Sequence, residues 1–155
     1  MGVEIERKYS VNKEKWDKVI KTEKHFYRQG YLSTDPDKTI RVRVTDTHGF
    51  ITIKGRSIGI TRPEFEYKIP KSDAIQLLHN FAKSIVSKIR YKIEFKNKLW
   101  EVDEFLEDNV GLVIAEIEIN SENEQYDIPE WAEQDVTGQE KYYNSNLSIN
   151  PYKNW

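Results

Sequence analysis

Charged and apolar residues alternate at every second position along most of this chain. In Val3-Glu4-Ile5-Glu6-Arg7-Lys8-Tyr9, an extended backbone puts Glu4, Glu6 and Lys8 on one side and Val3, Ile5 and Tyr9 on the other. The same split returns further on. One face carries Arg41 and Arg43, then Lys54, then Glu64, Glu66 and Lys68. It continues with Lys88, Arg90, Lys92 and Glu94, then Glu101 and Asp103, then Glu116 and Glu118. The opposite face carries Val42, Ile51, Phe65, Ile89, Val102 and Ile117 among others. A register slip of one residue would exchange the two faces, so the pattern specifies strands and their pairing together.

Turn chemistry divides the pattern into elements. Strands are expected at Val3–Tyr9, Phe26–Leu32, Thr39–Thr45, Phe50–Lys54, Glu64–Ile69, Val86–Phe95, Leu99–Phe105 and Leu112–Ile119. Asp35-Pro36-Asp37, Thr47-His48-Gly49, Asn97-Lys98 and Asn109–Gly111 supply the turns between them. Ser10–Glu23 reads as a short amphipathic helix capped by Asn12, and Ser72 is the expected cap of a second helix carrying Ile75, Leu77, Leu78, Phe81 and Ala82. The tail from Pro129 to Trp155 reads as a short helix or two followed by loop. About eight strands, few helices and short connections predict an α+β chain whose antiparallel sheet closes on itself, as a single domain over residues 1–155.

Composition narrows the chemistry. There is no cysteine, which excludes disulfides and thiolate metal sites, and a metal would need oxygen or imidazole ligands. His25, His48 and His79 have no ligand spacing, which argues against zinc. With 24 basic and 26 acidic side chains the net charge is −2, unlike a nucleic-acid-binding surface. No stretch approaches the roughly 18 consecutive apolar residues of a membrane helix, and no apolar leader precedes the first strand. A cytoplasmic protein without nucleic-acid or membrane partners is expected. Gly55–Gly59 lacks a phosphate-loop pattern and reads as a hairpin loop.

The charged face has two readings. Antiparallel sheets commonly solvate one face, and long charged side chains on it are ordinary. Against that, the charges cluster by kind: Arg41 with Arg43 and Lys88 with Arg90 are basic pairs, whereas Glu4 with Glu6, Glu64 with Glu66 and Glu116 with Glu118 are acidic pairs. Turned inward, such a face would need counter-charges and water, because isolated buried ions lose several kcal/mol of hydration or more. A polyanion held with divalent cations meets that need. Arg and Lys bind phosphate oxygens, and paired carboxylates are the hard ligands Mg²⁺ or Mn²⁺ prefers.

The opening Glu4-x-Glu6-x-Lys8 resembles the ExExK signature of the CYTH proteins, or triphosphate tunnel metalloenzymes. The resemblance continues in order through "TIRVRV", "TIKG", "RPEFEYKIP", Lys88-Ile89-Arg90-Tyr91, "WEVDEF", "AEIEI" and "VTGQEKYYNSNLS". It implies an eight-stranded antiparallel closed β-barrel, flanked by helices, whose tunnel binds a small-molecule triphosphate and Mg²⁺ or Mn²⁺. It also implies that Arg41, Arg43, Lys54, Lys88 and Arg90, with Lys8 and Lys68, hold phosphates. Glu4, Glu6, Glu116 and Glu118 would bind metal, with Glu64, Glu66 and Asp103 as further candidates, and Glu4, Glu6 and Lys8 would be catalytic. Lys141, in the tail, is equally a residue approaching the substrate or a surface side chain. The short members with an EIERK-like start and a TGxxKYYN-like end resemble inorganic tripolyphosphatases. A class IV adenylate cyclase and then a thiamine triphosphatase are the alternatives, and a homodimer is an arrangement the aromatic content allows.

Overall fold

The computed structural model describes residues 2–155. Its strands are β1 (Val3–Val11), β2 (Lys24–Ser33), β3 (Lys38–Val44), β4 (Gly49–Gly55), β5 (Thr61–Ile69), β6 (Ile85–Phe95), β7 (Lys98–Phe105), β8 (Val113–Glu118) and β9 (Ala132–Asp135). The helices are α1 (Lys13–Asp17), α2 (Lys71–Phe81) and α3 (Asn144–Leu147). The strands pair antiparallel in the order β5-β4-β3-β2-β6-β7-β8-β1-β9, and β5 also pairs with β1 through Val3↔Pro63, Glu4↔Arg62 and Ile5↔Thr61. That last pairing joins the first eight strands into a ring.

The ring is inside out relative to an ordinary small barrel. Register puts Lys88 opposite Tyr27, Arg90 opposite Asp103, Glu101 opposite Glu116 and Lys8 opposite Glu116, all toward the bore. Much of the apolar core is outside. Tyr9, Trp100, Val102, Ala115 and Ile117 pack beneath Trp16 of α1 and Trp131. Val42 packs beneath Ala74 and Leu78 of α2. A third cluster lies at one end of the bore itself, where Val86, Phe105 and Ile114 occupy inward positions and Leu147 of α3 covers them. The bore is therefore charged through its middle and stoppered at one end by apolar side chains from β6, β7, β8 and the tail.

Four expectations need correction. The tail contributes a strand, β9, where only helix and loop were expected. Ala-Glu-Gln-Asp has no strand-like composition, but β5 pairs only with the start of β1, leaving the edge around Tyr9 and Val11 free, and β9 satisfies it. The first helix is only Lys13–Asp17, because β1 runs on to Val11; Asn12 caps it as expected, accepting from Lys15 N at 3.0 Å. Ser72 does not cap α2, whose N-cap is Pro70, and Ile75 and Phe81 are exposed while Ala74 and Leu78 are buried. The turn between β6 and β7 centres on Lys96 and Asn97, with φ of 47° and 65°, one residue earlier than expected. Two positive-φ central residues match the twist of a tight hairpin.

Candidate active site

The ring order divides the bore into two opposed arcs. Strands β3, β2 and β6 form a basic arc with Arg41, Arg43, Lys88 and Arg90. Across from them β8, β1 and β5 form an acidic arc with Glu116, Glu118, Glu4, Glu6, Glu64 and Glu66. These ten side chains, together with Lys8 and Lys54, border a cavity of about 370 Å³. Polar residues thus converge where a barrel of this size would ordinarily bury aliphatic side chains.

The basic arc is built around one buried carboxylate. Asp103 Oδ2 lies 2.8 Å from Lys88 Nζ, and Asp103 accepts two hydrogen bonds from Arg90, Nε to Oδ1 at 2.8 Å and Nη2 to Oδ2 at 2.9 Å. Arg90 also donates to Glu116 at 3.1 Å and Glu101 at 3.3 Å. Arg43 donates through Nε to Gln29 at 2.9 Å and stacks over Tyr27 at 4.3 Å. These supports leave an excess of positive charge. Burial, with Arg41 and Arg90 close by, pushes Arg43 down to about 9. Burial likewise pushes Lys88 down to about 7, against the opposing pull of Asp103. Arg41 Nε is buried with no protein acceptor. An anion in the bore would relieve this crowding of positive charge.

The acidic arc has the complementary problem. Lys54 Nζ donates to both oxygens of Glu4 at 3.0 Å and lies 3.4 Å from Glu64. Glu66 accepts from Thr52 at 2.8 Å and from Arg41 at 3.4 Å. Burial and the neighbouring Glu116 and Glu4 raise Glu6 well above the usual carboxylate range. Glu116, by contrast, is held well below that range by Lys8 and Arg90 despite its burial. Burial and Glu4 raise Glu64, and burial and Glu4 raise Glu118. Lys8 stays charged, its pKa raised by Glu116 and Glu6 against burial. Carboxylates so crowded that one is raised well above its usual range have the donor chemistry of a divalent-cation site, and a cation would supply the missing positive charge. Among the described residues no group of three or more acidic or imidazole side chains is already gathered at ligand distance. Glu4 is turned to Lys54 and Glu116 to Arg90 instead.

Two sequence-predicted site residues fall elsewhere. Lys68 has inward parity opposite Phe50, but it is exposed and does not border the cavity, because the other edge of β5 has no partner beyond Pro63 and the ring has opened there. Asp103 is 0% exposed and enclosed by Lys88 and Arg90, so it serves as their counter-ion and does not border the cavity. Lys141 stands over the rings of Tyr142 and Trp155 at 5.2 and 4.6 Å and does not border the cavity.

The structure also adds residues to the site. Arg62 donates to Gly55 O at 2.7 Å and to Thr39 at 3.2 Å; it shares the parity of Glu64, yet its place before Pro63 disguised it as a strand boundary. Tyr27, Gln29 and Tyr31 are the inward residues of β2, hidden because that strand reverses the pattern and carries charged Arg28 outward. From the tail, Thr137, Gly138, Tyr143 and Asn144 reach the bore without any periodic signal.

A comparison with protein families matches residues 2–149 to the CYTH domain. The chain belongs to the CYTH family. A relative from Acetivibrio thermocellus described as an inorganic triphosphatase is 47% identical over 156 residues, spanning 100% of this CYTH protein and 99% of the relative. A solved structure described as an inorganic triphosphatase is 29% identical, with a TM-score of 0.65 over 96% of both chains. A Bacillus halodurans protein, 18% identical over 79% of this chain and 84% of its own, shares the fold with a TM-score of 0.62.

Proposed function

We propose that this CYTH protein is a divalent-metal-dependent inorganic triphosphatase that hydrolyses a phosphoanhydride bond of tripolyphosphate. The observation that carries this reading is the bore itself. A basic arc with an unsatisfied guanidinium donor faces an acidic arc crowded enough to raise Glu6 well above the usual carboxylate range. The relative at 47% identity, described as an inorganic triphosphatase, supports it.

Arg41, Arg43, Lys88 and Arg90 hold the phosphoryl oxygens, and their charge offsets what accumulates on those oxygens during transfer. Lys54 and Arg62 extend the same contacts toward β4 and β5. Glu4, Glu6, Glu116 and Glu118, with Glu64 and Glu66 beside them, would hold Mg²⁺ or Mn²⁺. Bound there, the ion supplies a more acidic water and further neutralises phosphoryl charge. Lys8, charged and next to Glu116, steadies the departing phosphate. The absence of cysteine agrees with a reducing, cytoplasmic setting.

A second cavity of about 210 Å³ shares Thr39, Ser57, Arg62, Tyr143 and Ser145 with the bore. It offers room for an organic substituent, which keeps class IV adenylate cyclase, and then thiamine triphosphatase, as second readings. Phosphate and cyclic AMP formation should be measured from tripolyphosphate, ATP and thiamine triphosphate with Mg²⁺ and Mn²⁺ in turn. The proposal expects phosphate from tripolyphosphate, dependent on the metal, and no cyclic AMP. No metal-dependent phosphate release from tripolyphosphate would overturn it.

A further inference from the structure

The ring of strands does not complete the basic arc by itself. Lys88 is 1% exposed, and its ammonium has three N–H groups. One is directed to Asp103 at 2.8 Å and a second to Asn144 Oδ1 at 2.9 Å, which leaves the third for the bore. Asn144 Oδ1 also accepts from Gln29 Nε2 at 3.0 Å, and Gln29, fully buried, uses its own Oε1 to accept from Arg43 Nε at 2.9 Å. One carbonyl oxygen in the tail therefore terminates two chains of contacts, one direct to Lys88 and one through Gln29 to Arg43. Both cations keep their remaining donors for an anion.

The placement of that oxygen follows from the packing of α3. Leu147, three residues on from Asn144, is 1% exposed in the apolar stopper with Val86, Phe105, Leu112 and Ile114. That anchor sets α3 against one end of the bore with Asn144 at the cavity wall.

We propose that Asn144 is a positioning residue of the triphosphate site: its carbonyl oxygen aims Lys88 directly and Arg43 through Gln29. The tail thereby supplies part of the phosphate-binding geometry. This rests on the triphosphatase reading for its kinetic consequences, while the hydrogen-bond relay itself does not.

The test compares the full-length protein with Asn144→Ala, Gln29→Ala and the double variant, using tripolyphosphate with Mg²⁺ or Mn²⁺. Losing a hydrogen bond to a charged group is expected to lower kcat/KM about tenfold in Asn144→Ala. If both residues act in one relay, adding Gln29→Ala lowers it little further, whereas independent structural effects multiply. A second readout is the ¹H–¹⁵N signal of the Lys88 ammonium at pH 6 without substrate, assigned by its loss in Lys88→Met. In Asn144→Ala it should shift and exchange faster with water while the other lysine signals stay in place. An Asn144→Ala protein with wild-type kcat/KM, multiplicative losses in the double variant, or an unmoved Lys88 signal overturns the proposal. If the wild-type protein hydrolyses no tripolyphosphate, the functional reading fails, and the ammonium signal still decides whether Asn144 orients Lys88.

Discussion

Replacing Asp103 with Asn tests the electrostatic framework of the bore, because the side chain keeps its shape and loses its charge. Asp103 is 0% exposed, with Lys88 at 2.8 Å and Arg90 at 2.8 and 2.9 Å. Removing one partner of a buried ion pair costs about 3–5 kcal/mol. Two cations lose a counter-ion here, but Arg90 retains Glu116 at 3.1 Å and Glu101 at 3.3 Å, so a middle value of about 4 kcal/mol is expected. For a chain of this size, about 2–4 °C per kcal/mol translates that into a fall in Tm of roughly 8–16 °C. The pH dependence has a definite sign. Lys88 titrates at about 7 in the folded protein and near 10.5 when unfolded, so between those values the unfolded chain binds the extra proton. Its contribution to stability therefore rises with pH across that window. Without Asp103 the protonated Lys88 is worse accommodated, so the loss of Tm should be larger at pH 6 than at pH 9. Asp103 itself is held below its usual value of 3.8, so its contribution is present above that value and fades as the pH falls through the depressed one. Thermal unfolding of both proteins at pH 6 and pH 9, followed by circular dichroism, measures this directly. An Asp103→Asn protein that melts with the wild type at both pH values, or that loses more at pH 9, would refute the reasoning.

Glu4→Gln should leave tripolyphosphate binding mostly intact in calorimetry and lower kcat by about a hundredfold or more, since it withdraws a metal-binding carboxylate and not a phosphate donor; unchanged turnover would remove Glu4 from the site. Because the pKa of Glu6 is raised, Mn²⁺ binding should release protons, and Mn²⁺ affinity should climb with pH above about 4.5, with a smaller climb in Glu6→Gln. A pH-independent affinity would contradict the role given to that carboxyl. On the outside of the ring, a Cβ on Gly49 would lie 2.5 Å from Ala74 Cβ and 3.2 Å from Pro70 O, so Gly49→Ala should cost about 1–3 kcal/mol in urea denaturation by forcing α2 off the sheet.

How much of this was legible depended on how each residue acts. The inward set on β1, β3, β6 and β8 was readable because strand parity alone aims Glu4, Arg41, Lys88 and Glu116. Parity cannot report depth. It gives Lys68 and Asp103 the same inward sense as Glu64 and Glu101, although one lies past the closure of the ring and the other behind two cations. Nor can it identify neutral inward residues such as Gln29, whose value comes from contacts across the fold, or the stopper of Val86, Phe105 and Ile114, which has the same apolar look as outward positions. The contribution of the tail was least visible. Its strand β9 exists because β1 has a free edge, and Asn144 matters because Leu147 is anchored; both are tertiary causes with no local signature.

The most direct measurement is a crystal structure of the protein with tripolyphosphate and Mn²⁺, the metal located by its anomalous scattering. The anion is expected inside the ring against Arg41, Arg43, Lys88 and Arg90, with Mn²⁺ between it and the carboxylates of Glu4, Glu6, Glu116 and Glu118. A bore that stays free of both at saturating concentrations, or tripolyphosphate lodged on the outer surface, would contradict the account.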